Sequence, residues 1–436
     1  MSTVTEKNIT SLFTSTVNVQ AETHEGVRNI RRDAVNALES LGLPSVKNEE
    51  YKHTPLTRLL EKNLSFPFHN TSSQPFDLET IRIPSIEGIR VVFINGRFSA
   101  QHSSTDAVEG LTITSLKDAV KSNHELITRH FAKIADYTRD GYVAYNTAAW
   151  TDGILLHVKD NVRISKPVVI YNVHDTRDGQ IVASLRNLIV LGKNSELTVF
   201  ETLSSLGNGV SFSTTVTETV VNDNAALTLF SIQNDPGNRY HFDYKQAYQL
   251  RSSRINTYTF TLEGKAVRNN LQLALDGEGI DSHMYGLYLI GKDTLADNHT
   301  VVDHKQPNSF SNELYKGIME DSSKGVFNGK IYVRPHAQKT NAFQANRNIL
   351  LSDKATVNTK PQLEIWADDV KCSHGCTSGQ LDEEAMFYLR ARGISKETAR
   401  AMMLYAFAVE LLETIKDESI KRYIDELISQ RLHKNF

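Results

Sequence analysis

The 436-residue chain has an ordinary globular composition, with 40% hydrophobic and 23% charged residues. Its formal net charge of −3 provides no excess of positive charge for binding a nucleic acid or an anionic membrane. The sequence contains no run of 18 apolar residues, so it predicts no membrane span, and the N-terminus lacks the pattern of a secretory signal. The two cysteines, Cys372 and Cys376, are too few for a disulfide framework, so we predict a cytoplasmic protein.

The first predicted region, residues 1–140, is mostly helical. Apolar residues recur at helical spacing over residues 27–41, and Gly42 follows as a stop signal. A second helix is predicted over residues 116–134. Between the two helices, residues 90–95 have the continuous apolar run of a buried strand.

The second predicted region, residues 141–379, consists of short β-prone runs separated by Gly, Asn, Asp and Ser. Three of these runs place Phe200, Phe230 and Phe260 thirty residues apart. Repeats of this length are typical of a solenoid, because each unit buries its apolar face only by stacking on its neighbours. This spacing favours a β-solenoid, with a β-sandwich as the alternative.

The third predicted region, residues 380–436, is helical. Ser395 has the side chain of an N-cap, and the helix that follows carries Met402, Met403 and Phe407. Such side chains fit either a core or a groove that binds a partner, since Met and aromatic residues are common in both.

Common catalytic motifs are missing from the sequence. It contains no GxxxxGK[ST] phosphate-binding loop, no GxGxxG after a strand, no GxSxG and no HExxH. We therefore predict that the chain has no nucleotide site and is not an enzyme.

One segment concentrates side chains that bind metals, with Cys372, His374 and Cys376 at alternate positions. In a strand these three side chains share one face, and thiolate and imidazole suit zinc, copper(I) or the iron of a cluster. The alternative is a buried thiol, a hydrogen-bonded histidine and a turn at Gly375. A looser group around His299, with Asp297, is more typical of hydrogen-bonded residues than of ligands.

Around this segment the sequence resembles the SufB/SufD family, and in particular its SufD branch. The stretch ADDVKCSHGCTSGQLDEEAMFYLRARGIS carries the strongest likeness. LESLGLPSVKNEEYKHTPL, YNTAAWTDGILLHV and QANRNILLSDKATVNTKPQLEIWADDV also match family elements, so the resemblance covers nearly the whole chain. Cys-Ser-His-Gly at residues 372–375, the shorter chain and the lack of an N-terminal cysteine motif favour the SufD branch over SufB.

The resemblance implies a mainly β fold, with a right-handed parallel β-helix core flanked by α-helical regions. It implies a non-catalytic scaffold for iron–sulfur cluster assembly that pairs with SufB and docks the ABC-type ATPase SufC. The C-terminal helical region would bind SufC, and its residues include Ser395, Met402, Met403, Tyr405 and Phe407.

The resemblance also implies a role for the Cys/His segment. The family histidine at the position of His374 lies near the SufB–SufD interface and helps to build the cluster, and Cys372 matches a neighbouring family cysteine. Cys376 replaces the usual alanine, so it is either an extra thiol ligand or inert. The expected ligand is a transient iron–sulfur cluster or iron shared with SufB, with none on the isolated chain.

Two other functions remain as alternatives. The first is a SufB-like paralogue that acts as a homodimeric cluster scaffold, and the isolated chain is also a candidate for a homodimer. The second is a β-helix enzyme acting on carbohydrate, which requires charged residues clustered in a groove.

Overall fold

The computed structural model describes residues 9–68, 74–75, 77–104 and 107–432. Parts of the predicted terminal regions, residues 1–8 and 433–436, lie outside the described residues. Two long β-sheets form the centre of the molecule, and helices lie toward both chain ends. Within the described ranges, no helix has the length and apolar character needed to cross a bilayer.

In the N-terminal part of the chain, helices come before and after a group of short strands. The helices are α1 Ile9–Ser15, α2 Glu25–Leu41, α3 Leu56–Asn63, α4 Leu116–Lys121, α5 Glu125–His130 and α6 Gly141–Ala149, and the strands are β1 Ile89–Ile94, β2 Arg97–Phe98 and β3 Leu111–Ser115. Short 3₁₀ turns lie at Val19–Ala21, Glu49–Tyr51 and Leu78–Thr80. The predicted helix over residues 27–41 is confirmed as α2, which ends where Gly42 takes a φ of 65°. The predicted strand over residues 90–95 is confirmed as β1.

The single helix predicted over residues 116–134 is wrong, because the chain forms α4 and α5 there instead. Asn123 interrupts the helical path with a φ of 55°, a left-handed conformation that asparagine adopts more readily than most residues. His124 then begins the second helix, since its ring nitrogen accepts a hydrogen bond from the backbone N–H of Leu126.

The remaining strands wind into a parallel β-solenoid. They are β4 Ile154–Val158, β5 Val168–Asp175, β6 Ile181–Leu191, β7 Glu196–Leu206, β8 Val210–Val221, β9 Ala226–Asn234, β10 Asn238–Gln249, β11 Arg254–Glu263, β12 Ala266–Leu275, β13 Asp281–Ile290, β14 Leu295–His304, β15 Phe310–Met319, β16 Lys324–Val333, β17 Asn341–Leu350, β18 Thr356–Ile365 and β19 Lys371–Gly379. Consecutive strands alternate between a ten-stranded sheet, in the order β19-β17-β15-β13-β11-β9-β7-β5-β1-β2, and a nine-stranded sheet, in the order β18-β16-β14-β12-β10-β8-β6-β4-β3. We call these sheets A and B. Each coil thus consists of one strand from each sheet, which confirms the predicted solenoid over the sandwich.

The thirty-residue spacing of the phenylalanines holds for only one coil. Phe230 pairs with Phe200, thirty residues earlier, but on its other side it pairs with Tyr258, twenty-eight residues later. Phe260 pairs instead with Ile232. The coil shortens because β9 has 9 residues whereas β7 has 11.

Apolar side chains fill the inside of the coils and also cover their outer faces. Inside, residues of both sheets pack together, among them Val199 of sheet A and Leu273 of sheet B. The aligned rings of Phe200, Phe230 and Tyr258 point outward from sheet A, where C-terminal helices cover them. On the outer face of sheet B, N-terminal helices supply the cover.

Three helices follow the last strand: α7 Glu383–Ala391, α8 Lys396–Leu412 and α9 Glu418–Arg431. Ser395 is the N-cap of α8, as predicted, and its hydroxyl accepts a hydrogen bond from the backbone N–H of Thr398. Both α8 and α9 pack on sheet A through buried residues such as Leu404 and Ile424.

Candidate functional site

The Cys/His segment forms β19, the last strand of sheet A. This strand pairs in parallel with β17 on one side, and within the described residues its other edge has no partner strand. In sheet B, β18 occupies the corresponding last position. We call β18 and β19 together the open end of the solenoid.

The three predicted ligand side chains lie in register with interior positions of β17. Cys372 pairs with Ala342, His374 pairs with Gln344, and Cys376 pairs with Asn346. Ala342, Gln344 and Asn346 are buried inside the coils, and residues paired in a parallel ladder share a face. The prediction that all three side chains lie on one face is therefore confirmed.

The spacing of these side chains prevents them from surrounding a single ion without help. Four residues of extended strand separate Cys372 from Cys376 by about 13 Å. Across the described part of the chain, no group of three or more His, Cys, Asp and Glu side chains could hold a metal ion. Any ion bound at the open end thus needs ligands from another molecule.

The thiols and the imidazole differ in exposure. Cys372 is half-buried against the interior core, whereas His374 and Cys376 are exposed. Burial raises the pKa of the Cys372 thiol, an effect that the backbone of Ala342 partly offsets. Since the thiolate is the form that binds metals, Cys372 is a weaker free ligand than an exposed thiol.

Directly beneath the open end the solenoid interior is polar, which the sequence analysis missed. Glu313 is 1% exposed, and its carboxylate accepts a hydrogen bond from Gln344 Nε2 at 2.7 Å. In the next column Asn346 Nδ2 donates to the hydroxyl oxygen of Tyr288 at 3.0 Å. Alternation within β15 and β17 could have revealed these inward polar residues only once the strand register was known.

Large apolar side chains lie exposed around the open end. Phe343 is 37% exposed, Ile365 is 39% exposed and Trp366 is 48% exposed. The Trp366 ring stacks on Tyr332, with their centroids 6.2 Å apart, and the Arg334 guanidinium lies 5.2 Å from the centroid of the Trp366 ring. Side chains of this kind are typical of the centre of a protein interface.

The residues predicted to dock a partner on α8 are partly covered by the chain itself. Tyr405 donates a hydrogen bond to Asp425 of α9, and Phe407 packs beside the Lys316 ammonium. Met402 and Met403 are half-buried. Whether these side chains bind another protein stays a prediction.

The most exposed aromatic residues of the helical region lie on α7, a helix inside the predicted docking region 380–436 but without any of the individually predicted docking residues. Phe387 is 74% exposed and Tyr388 is 58% exposed. None of the α7 residues is buried.

The group around His299 has the structural role that the sequence predicted. The ring of His299 contacts Asp297 and Glu50, and Asp297 also binds the guanidinium of Arg268. Burial alone would raise the pKa of Asp297, but the charges of His299 and Arg268 outweigh it and lower that pKa to about 2. These groups form paired charges beside a groove of about 850 Å³ on sheet B.

Comparison with known proteins identifies the family. Residues 173–407 match the description "SUF system FeS cluster assembly, SufBD core domain", and residues 3–170 match "SufBD protein N-terminal region". The chain belongs to the SufB/SufD family of iron–sulfur cluster assembly proteins. The core match extends over more than half of the chain and includes the solenoid from β6 to β19 together with α7.

Several relatives of the SufB/SufD family match over most of their length. A SufBD family iron–sulfur cluster assembly protein from Synechocystis is 30% identical over 92% of this chain and 90% of its own. The iron–sulfur cluster assembly protein SufD of Escherichia coli is 31% identical over 90% of each chain. SufD of Bacillus subtilis is 25% identical over 93% of this chain and 94% of its own. The protein is therefore a SufD-like member of the family.

Proposed function

We propose that this protein is the SufD-type, non-catalytic subunit of an iron–sulfur cluster assembly complex. It pairs with a SufB-type subunit through its open end and docks an ABC-type ATPase, SufC, through its C-terminal helices. The relatives named SufD support this proposal, since they match over 90% or more of each chain. We place the complex in the cytoplasm, where free thiols such as Cys372 and Cys376 stay reduced.

One observation carries the pairing proposal: the solenoid stops at an unpaired edge that bears His374. Exposed strand edges invite pairing with another chain, and β19 presents nine residues without the usual edge protection of a bulge or a proline. The exposed Phe343, Ile365 and Trp366 provide the apolar contact area. A related solenoid joined here would complete the interior columns of both chains.

The donor set at the open end fits iron or a nascent cluster as the cargo of the reaction. Imidazole nitrogen and thiolate sulfur both bind iron. Since this chain alone offers too few ligands within reach, a SufB-type partner supplies the others. Cys376 adds a thiol that this chain has and the family pattern lacks.

ATP hydrolysis belongs to another subunit in this proposal. The sequence contains no phosphate-binding GxxxxGK[ST] loop, so the chain itself has no site of that type. The exposed aromatic residues of α7 and the predicted docking residues of α8 belong to the same C-terminal helical region, and together they give the ATPase an apolar surface.

The deciding experiment replaces His374 in the reconstituted three-component complex. We expect His374→Ala to lower the amount of cluster assembled per complex about tenfold or more, because a ligand is lost. Co-purification of the subunits and ATP hydrolysis should stay at wild-type levels. The matched control is Ser373→Ala, which changes the outward face of the same strand.

Two results would overturn parts of this proposal. Wild-type assembly by His374→Ala would remove the ligand role of His374. Cluster assembly by the chain and the ATPase without a SufB-type subunit would favour the SufB-like homodimer instead. The carbohydrate-enzyme alternative has no support from the family matches.

A further inference from the structure

A polar column runs from the buried interior up to His374. Glu313, Gln344 and His374 occupy the same register position on β15, β17 and β19. Successive strands lie about 4.8 Å apart, so each side chain is the immediate neighbour of the next. The column therefore links the proposed ligand to two side chains that are 3% exposed or less.

Hydrogen bonding fixes which end of the Gln344 amide faces each neighbour. Its Nε2 donates to Glu313 Oε2 at 2.7 Å, so its Oε1 is left as the acceptor. That oxygen is fully buried, and among the described residues none donates a hydrogen bond to it. Buried acceptors rarely stay unpaired, so Oε1 is available to a donor on the neighbouring side chain of the column.

The facing sheet makes room for this arrangement. A Cβ atom on Gly329 of β16 would lie 2.3 Å from Gln344 Nε2, which is far inside contact distance. Only glycine at position 329 leaves the amide its place across the interior. The space for the Gln344 amide is thus built from both sheets.

We propose that Gln344 is a positioning residue for His374, an inference that rests on the proposed ligand role of that histidine. One ring N–H of His374 donates to Gln344 Oε1, and Glu313 holds the amide so that this oxygen is the group presented. The bond fixes the tautomer of the imidazole and directs its other nitrogen toward the cargo at the open end. Histidines that bind metals are commonly oriented by such a second hydrogen bond.

Nitrogen NMR of the histidine-labelled full chain tests this directly at pH 8, where Glu313, whose pKa burial raises to about 7, is ionised. The signal of His374 is identified by its loss in His374→Gln. We expect one tautomer to dominate in the wild type. In Gln344→Met the tautomer ratio should move to that of a short histidine peptide. An unchanged ratio in Gln344→Met, or a peptide-like ratio in the wild type, would overturn the proposal.

A second pair of variants keeps the test decisive if Gln344→Met does not fold. Glu313→Gln still offers an oxygen to the Gln344 amide, so it should keep the wild-type tautomer ratio of His374. Glu313→Leu frees the Gln344 amide to turn, so its tautomer ratio should move to that of a short histidine peptide. Equal ratios in both Glu313 variants would count against the proposal. The matched control is Cys376→Ala, on the same face of the same strand but in another column, which should leave the ratio unchanged.

The measurement needs no partner and no cluster, so its outcome is separate from that of the assembly experiment. If His374→Ala assembles clusters normally, the ligand role fails whatever the tautomer shows. If the wild-type His374 shows the tautomer ratio of a short peptide while His374→Ala still blocks assembly, only the role of Gln344 fails.

Discussion

At the scale of single residues, ionisable groups inside the coils determine how the protein responds to pH. Burial raises the pKa of Glu313 to about 7 and that of Asp243 to about 6. Asp243 has a partner that compensates, because the Lys245 ammonium lies against it. Glu313 faces uncharged neighbours, Thr300 and Gln344, so its ionisation is opposed by the protein interior.

We predict that Glu313→Gln removes a loss of stability that the wild type suffers as the pH rises. The folded-state pKa of about 7 lies above the ordinary 4.5, so the folded protein holds the extra proton between these values. The stabilisation from this group is full below pH 4.5 and is lost as the pH rises through 7. The free energy of unfolding of the variant, relative to that of the wild type, should increase by up to about 1.4 kcal/mol per pH unit.

Denaturant unfolding at several pH values between 5 and 8 measures this difference. Glu87→Gln serves as the control, because Glu87 is exposed and Lys166 lowers its pKa, so no such gain is expected. Parallel pH curves for the wild type and Glu313→Gln would contradict the raised pKa.

At the scale of elements, α7 and α8 differ in how firmly they are attached. The Lys316 ammonium of β15 donates to the backbone carbonyl of Phe407 at 2.7 Å and also pairs with Glu410, so α8 is fastened to sheet A. By contrast, α7 buries none of its residues. A helix that exposes two aromatic rings gains stability when another protein covers it.

We predict that α7 provides the main contact energy for the ATPase subunit. Phe387→Ala and Tyr388→Ala should each weaken binding of the ATPase by about 2 kcal/mol, or roughly thirtyfold, as expected for aromatic residues at the centre of an interface. Calorimetric titration of the full chain with the ATPase measures this. Phe66→Ala is the matched control, since Phe66 is 59% exposed but lies in the N-terminal region. Equal affinities for all four proteins would show that α7 is not the docking surface.

At the scale of the whole molecule, the two ends of the solenoid differ in whether other strands cover their last parallel strands. At the N-terminal end, β2 and β3 run antiparallel to their neighbours and close off the parallel ladders. At the other end, β18 and β19 are ten and nine residues long and have no further partner strand in the described ranges. The exposed Trp366 lies beside them.

We predict that the isolated chain self-associates through the open end. Trp366→Glu should shift the dimer to monomer, because a charge is placed in an apolar contact, and should raise the dissociation constant about tenfold or more. Sedimentation velocity over a range of concentrations measures the equilibrium. Leu41→Glu, at an exposed leucine of α2, is the control. A wild-type chain that stays monomeric at all concentrations would contradict this prediction.

Local sequence patterns predicted much of this architecture. The helix α2 follows from its apolar spacing and Gly42, and the N-cap of α8 follows from Ser395. Alternation placed Cys372, His374 and Cys376 on one face before the register was known. The predicted division into regions 1–140, 141–379 and 380–436 stays a prediction. In the structure, β1 of the first region pairs with β5 of the second, because distant segments share one sheet.

By itself, the sequence determined the class of fold, the family and the residue types at the end of the last coil, because these depend on local spacing and on motifs. Only the tertiary structure decided how many residues each coil takes, which polar groups stack beneath His374 and which helix leaves its aromatic rings uncovered. Those features depend on register between strands far apart in the chain. A shift of one residue would turn every side chain to the opposite face, and only packing of the complete molecule selects the register.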